Sequence, residues 1–140
     1  MALIENPERA KQLLRFDGVC YGDTIMPTDI DGLIEYKDRI WVLWEIKRRG
    51  KSVPKGQRLM LERFVKMARY AHKNAIAIVA EHDVADARQD VFLRDTLVKE
   101  YITTENIQWR RPTRRVTAKE TADRYIAYYL KLSEQRRAGA

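Results

Sequence analysis

Four residues in the segment TDIDGLIEYKDRIWVLWEIKRRG, Thr28 to Gly50, stand where a sheet would ordinarily place apolar side chains: Asp29, Asp31, Glu45 and Lys47. Asp29 and Asp31 lie in one apolar-flanked run and Glu45 and Lys47 in the next, with Tyr36, Lys37, Asp38 and Arg39 as a tight turn between them. Side chains on a strand alternate faces with period two. Over Ile40–Lys47 one face therefore carries Ile40, Val42, Trp44 and Ile46, and the other carries Trp41, Leu43, Glu45 and Lys47. Asp29 and Asp31 share a face with Leu33. If the hairpin loop is Lys37-Asp38-Arg39, Asp31 lies opposite Glu45 and Asp29 opposite Lys47. A one-residue change in loop length would undo that pairing.

Opposed carboxylates repel, so Asp31 facing Glu45 is poorly explained by structure alone. A divalent cation removes the conflict. Hard oxygen ligands at short range suit Mg²⁺ or Mn²⁺, which keep several waters for a substrate phosphate and a nucleophile. Lys47, two residues after Glu45, projects from the same face, where it could hold or polarise the attacking water or neutralise charge developing on the phosphate. These are parts for hydrolysing phosphodiesters. The same spacing also fits a solvated, salt-bridged sheet face in which Lys47 neutralises both acids.

The chain that must position these groups has 140 residues, 45% hydrophobic and 34% charged, which reads as one folded domain spanning 1–140 with a core over about 6–80. No apolar run approaches the ~20 residues needed to cross a bilayer. The stretch MALIENPERAK has no apolar signal core, so a cytoplasmic location without export is expected. Cys20 is the one cysteine and has no partner for a disulfide or a CxxC site, so a buried thiol is expected. The net charge of +7 and pI near 9.6 favour a polyanionic partner, nucleic acid before membrane.

Asn6-Pro7-Glu8 starts a helix, with a capping side chain, a proline at the first position and an acid on the positive end of the dipole. Ala10, Leu13, Leu14 and Phe16 give it a buried stripe, and Asp17-Gly18 breaks it. Two strands are expected over about Thr28–Tyr36 and Ile40–Lys47. A helix from about Gly56 to His72 has its apolar stripe at Met60, Leu61, Phe64, Met67, Ala68 and Ala71. AIAIVA, Ala75 to Ala80, has the continuous apolar pattern of a strand buried on both faces. The connection between this strand and the Glu45 strand is long enough for a right-handed parallel crossover. The C-terminal part, about 91–134, reads as strand-rich VFLRDTLVKEYI, a further strand at IQW, and a closing helix. That helix opens on the Thr117/Glu120 capping box and carries Ala122, Tyr125, Ile126, Tyr129 and Leu130. The final EQRRAGA is expected to fray. The order is that of an α/β fold with a central mixed β-sheet flanked by helices.

DIDGLIEYKDRIWVLWEIK resembles the core motif of the PD-(D/E)xK nuclease superfamily, in which an Asp ends one strand and a Glu-x-Lys lies about a dozen residues on in the next. Asp31 matches the first position, and Glu45, Ile46 and Lys47 match the Glu-x-Lys. The motif's usual proline is displaced, since Pro27 lies four residues before Asp31. The likeness covers roughly Asn6 to Ala80 and is nearest to small Holliday-junction-resolvase-like and VRR-type nucleases. It implies a restriction-endonuclease-like core around a four-stranded mixed sheet, Mg²⁺ (or Mn²⁺) as cofactor, and Asp31, Glu45 and the Ile46 carbonyl as ligands. It further implies an extra metal-site carboxylate at Glu8, whose other reading is a partner for the helix dipole, and a Gln reaching the site from Gln57, whose other reading is an exposed first-turn residue. Asp29 fits either a second-metal role or a partner for Lys47.

The basic surroundings suit DNA. Arg48, Arg49, Lys51 and Lys55 follow Lys47 with no acid before Arg58, as a loop gripping a phosphate backbone would. A second patch, WRRPTRR, offers Arg110 and Arg111 beside Trp109, where Arg and an aromatic can stack on an unpaired base. The other reading places Trp109 in the core with its arginines in solvent. The expectation is thus a metal-dependent DNA endonuclease, a homodimer if its substrate is a junction. A DNA-binding subunit with a nuclease fold, cutting only with a partner or not at all, and a non-catalytic basic scaffold for RNA or protein are the alternatives.

Overall fold

The structure, a computed structural model, describes residues 5–139. Helix α1 (Pro7–Ala10) precedes strands β1 (Gly32–Tyr36) and β2 (Ile40–Arg48). Helix α2 (Lys55–Tyr70) and strand β3 (Asn74–His82) follow, then a 3₁₀ turn at Leu93–Asp95, strands β4 (Leu97–Thr103) and β5 (Asn106–Arg110), and helix α3 (Ala118–Ala138). The fold is α/β, with one five-stranded mixed sheet in the order β1-β2-β3-β4-β5. Only β2 and β3 run parallel; the other neighbours are antiparallel.

The β1–β2 hairpin has the register the sequence implied, from Gly32 opposite Trp44 to Tyr36 opposite Ile40, with Lys37-Asp38-Arg39 as its loop. Lys37 and Asp38 adopt φ of 51° and 56°, and the Arg39 amide donates to the Tyr36 carbonyl at 3.0 Å. Two successive left-handed residues make a turn whose twist matches the strands it joins.

Two cores lie on the two faces of the sheet. One contains Ile40, Val42, Trp44, Ile76, Ile78 and Ala80 under Ala118 and Ala122 of α3. The other contains Leu43, Ala77, Val79 and Ile102 under Leu61 and Val65 of α2. Ala75–Ala80 of β3 is buried throughout, as expected for a central strand with a helix on each side. The face alternation puts Glu45 and Lys47 on the α2 side. The capping box of α3 forms, with the Thr117 hydroxyl accepting the Glu120 amide at 3.1 Å.

Several expectations are corrected. The helix at Asn6 is capped as read, with Asn6 accepting the Arg9 amide, but it ends at Ala10. One turn cannot carry an i, i+3, i+4 stripe, so Leu13 and Leu14, beyond its end, are exposed and Phe16 only partly covered. Cys20 is exposed as well, because residues 17–31 join neither core. The first strand begins at Gly32, four residues later than read, and the sheet has five strands rather than four. EQRRAG does not fray at once: α3 continues to Ala138. Among the described residues no helix is long and apolar enough to cross a membrane.

Candidate functional site

The β1–β2 ladder stops at the Gly32–Trp44 pair, and the next acid takes over its hydrogen bonding. Asp31 Oδ2 accepts the Ile46 amide at 2.6 Å. Within a strand, a residue's N–H and C=O point to the same edge. The Ile46 carbonyl therefore faces the edge at which Asp31 stands, beyond the last backbone pair. Glycine just after Asp31 avoids crowding, because a β-carbon at Gly32 would sit 3.0 Å from the buried Trp44 ring.

Glu45 comes from the middle of β2, where the strand is anchored in both cores, and only 2% of it is exposed. That figure excludes a solvated sheet face. Lys47 Nζ lies 2.6 Å from Glu45 Oε1 and donates to Gln57 Oε1 at 3.1 Å. Gln57, in the first turn of α2, in turn donates to the Thr28 hydroxyl at 3.4 Å. Glu45, Lys47, Gln57 and Thr28 thus form one chain of contacts linking β2, α2 and the segment that leads to Asp31. Burial pushes the Glu45 carboxyl above its ordinary range; the Lys47 hydrogen bond opposes this, and the negative charges of Asp31 and Asp29 add to it.

The first turn of α2 contains no acid and its N-cap, Pro54, makes no side-chain capping bond, so its amides and Lys55 add positive potential on this side. Arg48 at the end of β2, Arg49 and Lys51 on the loop after it, and Lys55 at the start of α2 are all exposed. The acid-free run does not leave them all unpaired, because folding brings Asp83 to within 3.3 Å of Arg49.

Asp31, Glu45, Ile46, Lys47 and Gln57 are therefore brought together. Asp29 is exposed and its charge acts on Glu45, while Lys47 bonds Glu45 and not Asp29. Glu8 is not drawn in: it is exposed, pairs with Lys11 at 3.4 Å, and is not among the charges acting on Glu45. A four-residue helix without a core contact cannot carry it to the sheet. Among the described residues no three His, Cys, Asp or Glu side chains form a group able to hold a metal ion. The oxygen set here is two carboxylates and one carbonyl, which matches a cation that keeps much of its water shell.

Arg110 and Arg111 are elsewhere. β5 is the far edge of the sheet, with β3 and β4 between it and β2. Arg110 pairs in register with Tyr101, stacks on its ring with the guanidinium 4.9 Å from the centroid, and donates to Thr103 Oγ1 at 2.9 Å. Tyr101 packs against the α3-side core, opposite to Glu45. Trp109 follows the core reading, half-buried against α2 with its Nε1 donating to Glu62 at 2.7 Å.

Three features near the site were not anticipated. Thr28 anchors Gln57. His82 and Leu93 join Asp31 and Ile46 around a hollow of about 250 Å³. Glu100 shares a cross-strand row with Val79 and Glu45 and is held by Arg58, whose guanidinium lies 4.4 Å from the Trp109 ring centroid. Only His82 carried a sequence signal, as a titratable group at the end of a buried strand. The others depend on pairings across 29 to 42 residues. No protein-family model, curated protein or solved structure matches the chain.

Proposed function

We propose that the chain is a metal-dependent DNA endonuclease of the PD-(D/E)xK kind, hydrolysing phosphodiester bonds at Asp31, Glu45, Lys47 and Gln57. One observation carries the reading: a buried Glu45 bonded to Lys47, next to an Asp31 that has left the β-ladder to grip the amide of the residue between them. Burying a carboxylate whose nearest acids raise its pKa costs stability. A fold retains such a group more readily when a ligand uses it.

Asp31, Glu45 and the Ile46 carbonyl would hold Mg²⁺ or Mn²⁺, which when bound supplies a Lewis acid for phosphate and water. Lys47 keeps an ammonium at the same face, oriented from behind by Gln57, where it can position the attacking water or offset phosphate charge. Arg48, Arg49, Lys51 and Lys55 grip the backbone of the strand being cut. DNA is the partner this charge suits, in a cytoplasmic setting. Two copies are needed if the substrate is a junction cut symmetrically.

The test is a Mg²⁺-dependent cleavage panel over labelled junction, flap, nicked, duplex and single-stranded DNA, with Lys47→Ala as control. Wild-type cleavage abolished by Lys47→Ala supports the proposal, and normal cleavage by Lys47→Ala overturns it. The Lys47–Glu45 ion pair also favours a second reading, a DNA-binding fold that does not cut by itself. Wild-type binding without cleavage of any substrate in Mg²⁺ or Mn²⁺ would select that one.

A further inference from the structure

The cleft between β5 and α3 lies on the sheet face opposite Glu45 and plays no part in the reading above. Its volume is about 520 Å³, within the range of small-ligand sites. Tyr125, Tyr128 and Tyr129 wall it from one side of α3, at the i, i+3, i+4 spacing that puts side chains on one face. Arg110 and Tyr101 also line it, the guanidinium 4.9 Å from the Tyr101 ring centroid. Tyr128 stands 58% exposed, its ring held edge-on by Tyr129 with centroids 4.9 Å apart. An aromatic ring left more than half exposed offers surface on which a base can stack.

Charge in the cleft is uneven. Arg110, Arg114 and Arg124 line it together with a single carboxylate, Glu105. Glu105 is taken up by the Thr104 hydroxyl at 2.6 Å, the Asn74 amide at 2.8 Å and the Tyr125 hydroxyl at 3.1 Å. Arg114 and Arg124 share one further acid, Glu120, at 2.7 and 3.0 Å. Exposed Arg111 and Arg115 extend the excess along the loop that closes the cleft. Unpaired bases are recognised by stacking on aromatic rings and guanidinium planes, with cations on the adjoining phosphate.

We infer that this cleft binds an unpaired nucleobase with its phosphate, giving the protein a single-strand contact separate from the Asp31–Glu45 site. A duplex keeps its bases stacked and cannot insert one here, so the contact distinguishes single-stranded from paired nucleic acid.

The experiment is fluorescence anisotropy in EDTA with labelled oligothymidylate and a blunt duplex of equal length. Without metal its outcome is independent of whether the protein cuts. Tyr128→Ala should weaken oligothymidylate binding by about tenfold and leave duplex binding unchanged, and Tyr128→Phe should restore wild-type affinity. Wild-type protein that fails to bind oligothymidylate, or Tyr128→Ala that binds it normally, overturns the inference, as does equal weakening towards both DNAs. A second readout uses oligonucleotides carrying 5-iodouracil: cross-links should map to peptides containing Arg110–Arg115 or Arg124–Tyr129. Cross-links confined to Arg48–Lys55 would also overturn it.

Discussion

Asp31 Oδ2 holds the Ile46 amide at 2.6 Å, standing in for the backbone carbonyl that β1 would have offered had its pairing with β2 continued. The carboxylate therefore has a structural duty as well as its proposed ligand role, and the two can be separated. Asp31→Asn keeps an acceptor oxygen for Ile46, so its melting temperature without metal should stay close to wild type, while the stabilisation by Mn²⁺ falls. Asp31→Ala should lose both, with a metal-free stability cost of about 1–2 kcal/mol for the missing charge-assisted bond. Differential scanning fluorimetry with and without Mn²⁺ measures each. A full Mn²⁺ response in Asp31→Asn would remove Asp31 from the ligand set.

Glu45→Gln should behave in the opposite sense to most core substitutions. It removes a buried charge that its surroundings disfavour while leaving Lys47 an oxygen acceptor. The metal-free protein should melt higher, by roughly 2–4 °C for each kcal/mol relieved in a chain of this size. Cleavage and metal stabilisation should both vanish. A lower melting temperature would show that the Glu45–Lys47 pair stabilises the fold on balance.

The same shift fixes a pH dependence. The folded-state pKa of Glu45 lies above its ordinary 4.5, so the stability linked to this group is complete below that value and is lost as pH rises through the raised folded value. Metal binding requires the ionised form and follows the reverse course. The rise in melting temperature on adding Mn²⁺ should grow as pH climbs through that window and then level off. A Mn²⁺ response independent of pH across the window would contradict this.

Gly32→Ala touches no proposed ligand, yet it should impair the site. Its new methyl would stand 3.0 Å from the Trp44 ring, so either the ring or the start of β1 must move. Overpacking of this kind costs about 1–3 kcal/mol, and a displaced β1 carries Asp31 with it. Both melting temperature and Mn²⁺ affinity should drop. A Gly32→Ala protein with lowered stability but unaltered Mn²⁺ affinity would show that Trp44 alone adjusts.

Arg58 and the loop cations should separate in a salt titration of DNA binding. Arg48, Lys51 and Lys55 are exposed, so replacing any one by Ala should lower the slope of log affinity against log salt by about one. Arg58 is engaged by Glu100 and stacked on Trp109. Arg58→Ala should lower the melting temperature and leave the slope nearly unchanged; a slope loss of about one there would place Arg58 among the DNA contacts.

The parts of the site legible in the sequence were those set by local rules. Period-two alternation and a three-residue loop were enough to fix the hairpin register, from Gly32 opposite Trp44 to Tyr36 opposite Ile40, and to put Lys47 on the face of Glu45. Asp31, one residue beyond the last pair, binds the Ile46 amide instead of lying opposite Glu45. The continuous apolar run of β3 and the capping box of α3 were equally local signals. Expectations failed where apolar content was read as burial with no element to bury against, as for Leu13, Leu14 and Cys20. Arg110 and Trp109 do not share a face: strand alternation sends Trp109 towards α2 and Arg110 onto Tyr101, and both lie at the far edge of the sheet from β2. The Thr28–Gln57 and Arg58–Glu100 contacts join distant segments and leave no periodic trace.

The exposed stretch before β1 has a consequence for timing. Glu45 and Lys47 belong to a strand locked between two cores, so they should open only when the whole domain unfolds. Asp31 sits at the end of a segment that joins neither core, tied by the Ile46 amide and, through Thr28, by Gln57. Half of the site therefore belongs to the most persistent part of the molecule and half to a part that can detach by itself. Hydrogen exchange at the Ile46 amide would count those detachments directly. Its rate sets how often the site lies open to an incoming strand, independently of how fast any bond is broken once it closes.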